Sequence, residues 1–434
     1  MDYTSEPRGV FLMIDNKSFY ATVECTSRGL DPLTTPLVVM SEADNTGSGL
    51  ILASSPAAKQ LFKLHNVNRA RDLPNDDRLL VVPPRMNLYI EKNLAINDIF
   101  SEFVAQDDLL PYSIDESILD LTHSWRLYGD NILAVVRRIQ REVYQRLHLV
   151  TTIGIGNNPV QAKLALDIYA KHNPEFIGVI TNQTARARIW AIKDLTSVWG
   201  INTRMAARLE RLGIHTMWEL AHADPYFLEE KLGKAGARLY ATAWGVDHSS
   251  PAKSHRHKKK SESVGNSQVL PRDYHTKEEI ELVISEITAQ VASRLRAKQK
   301  QAGGVYLGIG YALGVVDDQG KTGFTHSQKL AADTADTRVL MAEVKALFER
   351  SWRGQPVRHV AVAATRLTKR YGEQLDLFAT KADATAIDVE NTVDAIRKRY
   401  GKTAIVRAAS LKKGGTFIAR SKLVGGHTGG QSLE

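Results

Sequence analysis

Two acidic points in strongly apolar surroundings are the residues of this sequence best placed to do chemistry. Asp15 ends the apolar run GVFLMID, and the pair Asp115–Glu116 interrupts LLPYSIDESILDLT. Taken alone, Asp15 could be a helix N-cap, and Asp115–Glu116 could be a solvated hairpin tip. If the two strands are neighbours, three carboxylates from two loops converge, and a hard divalent cation would relieve their repulsion. Two such ions could activate a hydroxyl and bind a triphosphate.

The hydrophobic pattern predicts the strands and helices around these carboxylates. The first 180 residues alternate short apolar runs with amphipathic stretches, and a second strand–helix–strand unit follows a helical segment at 184–246. We expect strands at 9–15, 36–40, 50–53, 78–82, 149–156, near 304–313 and at 357–366, and helices at 55–65, 86–104, 128–148, 159–171 and 276–298. The residues that flank Asp115–Glu116 predict two strands meeting at that pair. The pattern indicates a layered, multidomain α/β (α+β) protein.

The charge is distributed unevenly along the chain. Residues 1–120 hold ten Lys/Arg against eighteen Asp/Glu, whereas the remainder holds 47 against 30. A basic remainder favours a surface that binds a polyanion. Residues 249–260 contain five Lys/Arg and no acid, which predicts an exposed tether between domains.

Other features of the sequence exclude several classes of protein. The single cysteine, Cys25, rules out an internal disulfide framework and a four-cysteine zinc site. No apolar run approaches the roughly 20 residues of a membrane span, and the N-terminus is acidic where a signal peptide is basic. We therefore expect a cytoplasmic protein without a membrane partner.

Six motifs, taken together and in order, resemble the Y-family translesion DNA polymerases. FLMIDNKSFYATVE (11–24) and PYSIDESILDLT (111–122) resemble the two catalytic motifs of that family. The others are similar to the fingers, ILASSPAAKQLFKLHNV (51–67), the closing palm segment, TIGIGNNPVQAKLALDIYAKHNP (152–174), the thumb helix-hairpin-helix, SVWGINTRMAARLERLGIHTMWELA (197–221), and the opening of the little finger, SVGNSQVLPRDYHTKEEI (263–280). Asn202 stands where the helix-hairpin-helix motif usually has a second glycine.

Two departures point to the UmuC-like branch of the family, which is similar to the catalytic subunit of DNA polymerase V and is carried by Gram-positive bacteria, their plasmids and phages. Pro56 stands where the DinB-like lineage usually has a tyrosine, and the chain continues well past QLDLF. The resemblance implies a right-hand polymerase with the following parts: palm 1–22 and 84–183, fingers 23–83, thumb 184–248, basic linker 249–262, little finger 263–373, clamp-binding peptide 374–378 and C-terminal extension 379–434.

The resemblance also implies roles for individual residues. Asp15, Asp115 and Glu116 match the catalytic metal ligands, and with the carbonyl of Asn16 they would hold two Mg²⁺. We expect a helix to open at Asn16, so that its first amides bind triphosphate oxygens. The residues matched to substrate contacts are Lys17, Ser18, Phe19, Tyr20, Lys59 and Lys171. Tyr20 matches the steric gate, whose ring would fill the space that a ribose 2′-hydroxyl needs, with Phe19 as the next candidate.

The pentapeptide QLDLF resembles the sliding-clamp binding motif. Its residues are Gln374, Leu375, Asp376, Leu377 and Phe378. The partners implied are damaged primer–template DNA, deoxynucleoside triphosphates, the sliding clamp and an accessory protein of the UmuD type, and the place of action would be the nucleoid.

The function expected is low-fidelity, DNA-directed DNA synthesis past damaged template bases, without proofreading, in the SOS response. Two alternatives remain. A non-catalytic repair factor that binds DNA or the clamp would not need the three carboxylates. A palm-type nucleotidyl cyclase would not need the helix-hairpin-helix or the clamp peptide.

Overall fold

The computed structural model describes residues 2–41, 49–252, 262–369, 381–424 and 426–429. Its strands are β1 (Phe11–Asn16), β2 (Leu37–Met40), β3 (Ile51–Ser54), β4 (Leu80–Val82), β5 (Leu109–Pro111), β6 (Glu116–Asp120), β7 (Thr151–Gly156), β8 (Ile177–Ile180), β9 (Val264–Tyr274), β10 (Lys300–Tyr311), β11 (Gly323–Thr334), β12 (Val357–Lys369), β13 (Leu423–Val424) and β14 (His427–Thr428).

The α-helices that carry the argument lie between these strands and after them. They are α1 (Phe19–Thr26), α2 (Pro56–Phe62), α3 (Met86–Ser101), α4 (Ile132–Leu147), α5 (Pro159–Leu164), α6 (Ala185–Ile189), α7 (Thr203–Glu210), α8 (Met217–His222), α9 (Pro225–Leu232), α10 (Lys234–Ala243), α11 (Lys277–Ala297), α12 (Thr337–Ser351), α13 (Lys381–Tyr400) and α14 (Phe417–Ser421). Within the described ranges, none of the helices is both long and apolar enough to cross a lipid bilayer.

A five-stranded sheet in the order β5-β6-β1-β7-β8 is the scaffold of the N-terminal part. β1 lies at its centre and is antiparallel to both β6 and β7. Because successive side chains of a strand point to opposite faces, Leu12 and Ile14 enter the large core beside α3 and α4, whereas Phe11 and Met13 pack towards α5. Burial on both faces leaves the end of β1 as the place where a polar side chain can reach the surface.

Two glycines let the segment that starts with α5 lie directly on this sheet. A Cβ atom at Gly154 would collide with the backbone of Ala162 and Leu166, and one at Gly156 would collide with the backbone of Gln161. Only glycine permits so close an approach of helix and strand. The α-helix ends at Leu164 and continues as a π-helix over Ala165–Tyr169 and a 3₁₀ turn over Ala170–His172.

The remaining sheets belong to smaller units. β3-β2-β4 form a three-stranded sheet, residues 185–243 are helical, and β11-β10-β12-β9 form a four-stranded antiparallel sheet. Residues of α11 and α12 share one core with this last sheet. The mixed α/β class agrees with the sequence pattern, although β8, β11 and the short β13 and β14 were not among the strands expected. The domain boundaries stay a prediction.

The described C-terminal residues pack on the four-stranded unit and reach back to the N-terminal part. Arg296 of α11 donates to Asp394 at 2.7 Å, and the buried carboxylate of Glu286 accepts the amide of Thr416 at 3.0 Å. At the end of the hairpin β13–β14, the carbonyl of Gly429 accepts the amide of Asn87 at 2.9 Å. The described part of the C-terminal extension thus includes a helix, α13, docked on α11 and a hairpin, β13–β14, that contacts the N-terminal part. QLDLF and most of the basic linker lie outside the described residues.

Candidate active site

Two of the carboxylates identified in the sequence, Asp15 and Glu116, lie on adjacent strands, and Asp115 lies in the turn directly before β6. Asp15 is paired in register with Glu116 across β1 and β6, and β5 and β6 form the antiparallel hairpin expected around Asp115. The backbone amide of Asn16 donates to the carbonyl of Asp115 at 2.9 Å, and its side-chain amide donates to the same carbonyl at 3.1 Å. These two hydrogen bonds join the end of β1 to the hairpin at the position of the three carboxylates.

Asp15 is the carboxylate with the strongest electrostatic perturbation. Its side chain is 16% exposed, and burial, followed by the charges of Asp115 and Glu116, raises its pKa to about 6 against the opposing effect of Lys171. Lys171 lies 3.9 Å from a carboxylate oxygen of Asp15. A site of this kind disfavours its own negative charge and gains most from a bound cation.

Glu116 is held by a lysine that the sequence reasoning missed. Lys163 lies 2.6 Å from a carboxylate oxygen of Glu116 and 3.2 Å from Asp167. Asp167 in turn accepts a hydrogen bond from Lys171 at 2.8 Å. The signal was present as Lys, Asp and Lys spaced by four in an apolar segment, which is the spacing of neighbours on one helix face.

The donor atoms of these side chains suit a hard divalent cation. Among the residues that the structure describes, no three His, Cys, Asp or Glu side chains form a ligand group. However, the side-chain oxygen of Asn16 is buried without a hydrogen-bond partner, and the donors are all oxygens, as Mg²⁺ prefers. Asp115 accepts a hydrogen bond from Ser113 at 2.6 Å, and Glu116 would have to exchange Lys163 for the ion.

The segment after β1 differs in detail from the expected helix opening. Asn16 is the last residue of β1, and α1 begins only at Phe19. The amides of Asn16 and Lys17 bond to the carbonyls of Asp115 and Val150, so they are not the first amides of a helix. Ser18 bridges the two elements in a left-handed conformation with φ 50°. The expectation of a helix opening at Asn16 was therefore wrong by three residues, because sheet pairing extends to that position.

The lysines expected to contact a triphosphate lie near this turn. Lys59, on α2, donates to the hydroxyl of Ser18 at 2.9 Å. Burial and the charge of Lys17 lower the pKa of Lys59, whereas the pKa of Lys171 is raised, because Asp15 and Asp167 outweigh its own burial. The ammonium of Lys17 lies 4.3 Å from the ring centroid of Phe176. Pro56 occupies the first turn of α2, and the hydroxyl of Ser55 caps that helix.

The two adjacent aromatic residues of α1 have different environments. Phe19 is buried in the large core, whereas Tyr20 is only partly buried and stacks on Tyr89 with ring centroids 4.3 Å apart. Burial and then the charge of Asp115 raise the pKa of Tyr20, which places its hydroxyl in the field of the acidic site. Tyr20 is therefore the aromatic side chain that borders the site.

Comparison with known proteins decides the family. Residues 14–167 match the model of the impB/mucB/samB family, and residues 261–377 match that of its C-terminal domain. A Bacillus subtilis (strain 168) protein named UV-damage repair protein UvrX is 35% identical over 430 residues, covering 98% of this chain and 99% of that protein. This chain is a UmuC-like Y-family DNA polymerase.

Further comparisons agree with this assignment. DNA polymerase IV 2 of Bacillus subtilis (strain 168) is 32% identical over 419 residues and covers 96% of this chain and 98% of the relative. A solved Y-family polymerase chimera of Dbh and Dpo4 has the same fold, with a TM-score of 0.65 and 20% identity over 83% of this chain and 99% of the chimera. The predicted family, fold class and translesion DNA polymerase function are confirmed. Y-family polymerases in general depend on a divalent metal and act on DNA with deoxynucleoside triphosphates.

Proposed function

We propose that this Y-family polymerase adds deoxynucleotides to a primer at the site formed by Asp15, Asp115 and Glu116, with two Mg²⁺ held by these carboxylates and Asn16. When bound, the ions supply Lewis-acid stabilisation of the attacking and leaving oxygens. The observation that carries the proposal is the pairing of Asp15 in register with Glu116 on adjacent strands, with Asp115 joined to Asn16 by a backbone hydrogen bond. The raised pKa of Asp15 agrees with it, because a bound cation would offset the cost of burying this charge beside two other carboxylates.

The cationic side chains around the site suit an incoming triphosphate. Lys59 and Ser18 are already joined by a hydrogen bond, and Lys171 lies at the edge of the carboxylates. Ammonium groups in these positions would offset charge that develops on the phosphoryl oxygens. The side chain of Lys17 packs on Phe176, so its role would be to add positive charge to this side of the site.

The decisive experiment is primer extension on undamaged and lesion-containing templates with Mg²⁺ and deoxynucleoside triphosphates. Asp115→Asn and Glu116→Gln should each abolish extension and leave primer–template binding nearly intact, because the basic remainder of the chain binds the phosphates. Extension that persists above about a tenth of the wild-type rate would contradict the metal assignment, because loss of a metal-stabilised transition state costs several kcal/mol. Template-independent cyclisation of a nucleotide would point to the cyclase instead.

Tyr20 is proposed as the residue that excludes ribonucleotides. Its partly buried ring borders the carboxylates, whereas Phe19 belongs to the core. Tyr20→Ala should raise the efficiency of ribonucleotide incorporation relative to deoxynucleotide incorporation. An unchanged ratio would place this function elsewhere.

The pentapeptide 374–378 is proposed to bind the sliding clamp, and a UmuD-type accessory protein remains a proposed partner. Leu377→Ala together with Phe378→Ala should abolish stimulation by the clamp and leave clamp-independent extension unchanged, because interface energy concentrates in a few apolar anchors. A lower melting temperature with equal loss of both activities would instead show that these residues anchor the fold. The proposed place of action of the polymerase is nucleoid DNA in the cytoplasm.

A further inference from the structure

Tyr89, on α3, lies against the ring of Tyr20 on the side of the protein core. Its side chain is 0% exposed, and the two ring planes are inclined by only 14° with centroids 4.3 Å apart. Phe19 also contacts Tyr89 edge-on, at 6.4 Å between centroids. The partly buried ring of Tyr20 therefore rests on a fully buried one, which limits the rotamers that Tyr20 can adopt.

The ring of Tyr89 is itself fixed by a buried carboxylate. Its hydroxyl donates to Glu24 at 2.7 Å, and Arg85 donates to both oxygens of Glu24, with its Nη2 at 2.7 Å and its Nε at 3.0 Å from them. Arg28 forms a further ion pair with Glu24. Burial acts to raise the pKa of Glu24, but the hydrogen bonds from Arg85, Tyr89 and Arg28 outweigh it and lower the pKa.

Apolar packing alone would not require this network. A phenylalanine at position 89 would supply the same apolar ring. A buried carboxylate with its cations is costly unless good geometry and further hydrogen bonds offset its desolvation. What the network adds is a fixed position, because a phenol oxygen that donates to a held carboxylate cannot swing away from it without losing the bond. The place of the Tyr89 ring is thus defined, and with it the surface on which Tyr20 stacks.

We propose that Tyr89 is a positioning residue for sugar discrimination: held by Glu24, it keeps the ring of Tyr20 forward against the nucleotide sugar. This proposal rests on the proposed role of Tyr20. Without the ring of Tyr89, Tyr20 can retract into the vacated core volume, and the space beside the sugar C2′ opens. Ribonucleotides then gain access, although Tyr20 itself is unchanged.

The test compares Tyr89→Leu, Tyr89→Phe and Tyr20→Ala in single-nucleotide incorporation with matched ribo- and deoxynucleotides. Tyr89→Leu should raise the ratio of ribo- to deoxynucleotide efficiency by about tenfold or more, mainly through a lower KM for the ribonucleotide. Tyr89→Phe keeps the ring and loses only the hydroxyl, so its ratio should rise less, by about threefold.

Phe103→Leu is the matched control. Phe103 is buried in the same core, and its ring packs on that of Tyr128 with centroids 5.0 Å apart. It should lower the melting temperature as Tyr89→Leu does, with no change in the ratio. Equal losses with both nucleotides in Tyr89→Leu, or an equal rise in Phe103→Leu, would overturn the positioning role. If Tyr20→Ala also leaves the ratio unchanged, the gate assignment itself fails. If Tyr20→Ala raises it and Tyr89→Leu does not, only the role of Tyr89 is rejected.

Discussion

Two carboxylates nine positions apart in one strand–helix unit have opposite electrostatic environments. Glu24, inside α1, is 0% exposed and accepts hydrogen bonds from Arg85, Arg28 and Tyr89. Asp15, at the end of β1, is 16% exposed, and the one cation within ion-pair distance is Lys171 at 3.9 Å, as far as the structure describes the chain. Glu24 has a lowered pKa and Asp15 a raised one.

The difference separates a carboxylate that stabilises the fold from one that is available for chemistry. Burial disfavours the charge of both groups, and only at Glu24 do neighbouring cations compensate for it. At Asp15 the neighbouring carboxylates add to the cost of burying its charge. A bound cation would supply the compensating positive charge that the protein lacks there. Buried ionisable groups should therefore be judged by their partners, and depth of burial alone does not identify an active site.

The largest effect is expected on catalysis, when the charge of Asp15 is removed. Asp15→Asn should reduce the rate of primer extension by at least about 1000-fold, because transition-state stabilisation worth several kcal/mol is lost. The melting temperature should not fall, since an uncharged amide removes repulsion with Asp115 and Glu116. Pre-steady-state extension and thermal unfolding measure the two quantities. Asp31→Asn, an exposed carboxylate after α1, is the control, and a similar loss there would contradict the assignment.

Removal of the Glu24 carboxylate should lower the stability of the fold and leave catalysis largely intact. Glu24→Ala removes one partner of a buried ion pair and leaves Arg85 uncompensated, which should cost roughly 3–5 kcal/mol of the free energy of unfolding. Glu102→Ala, which breaks an exposed pair with Arg146, should cost about 1 kcal/mol or less. Denaturant titrations of both variants make the comparison. Equal losses would show that the Glu24 network is not a stabilising centre.

The sequence predicted the place of Asp15 in this contrast, but it predicted neither Glu24 nor the partners of the two carboxylates. Apolar runs predicted β1 and the hairpin around Asp115, because strand pattern and turn chemistry are local properties. The pairing of Lys163 with Glu116 depends on the close approach of α5 to β7, which Gly154 permits. The Glu24 network joins positions 61 and 65 residues apart. Such contacts depend on tertiary packing, and no local periodicity encodes them.

The same contrast should appear as a pH dependence of stability in metal-free protein. The folded-state pKa of Asp15, about 6, lies above its ordinary value of 3.8, so its effect favours the folded state below about pH 4. That advantage should be lost as pH rises through 6, by about 3 kcal/mol. Glu24 acts in the opposite direction. Because its pKa is lowered in the folded state, it stabilises the fold above the pKa that it has in the unfolded chain, and this stabilisation is lost on acidification.

Urea titrations from pH 4 to 7.5 in the presence of a chelator isolate the contribution of Asp15, because that of Glu24 is lost only below its ordinary pKa of 4.5. Asp15→Asn should lack the decline between pH 4 and 6 that wild-type protein shows, and Mg²⁺ should suppress that decline in wild-type protein. Superimposable curves for the two proteins would refute the environment assigned to Asp15.

The smallest expected effect concerns Lys171, the cation that only partly compensates Asp15. Its ammonium also bonds to Asp167 at 2.8 Å, and more than a third of the side chain is exposed, so solvent screens it. Lys171→Met should raise the KM for the incoming deoxynucleotide by about tenfold, the worth of one charged hydrogen bond, with a smaller change in kcat. Lys171→Arg should recover part of the loss, because the charge is retained. Lys231→Met, an exposed lysine paired with Glu230, should leave KM unchanged. A large fall in kcat with unchanged KM would instead mean that Lys171 serves the carboxylates alone, as a weaker counterpart of the arginines around Glu24.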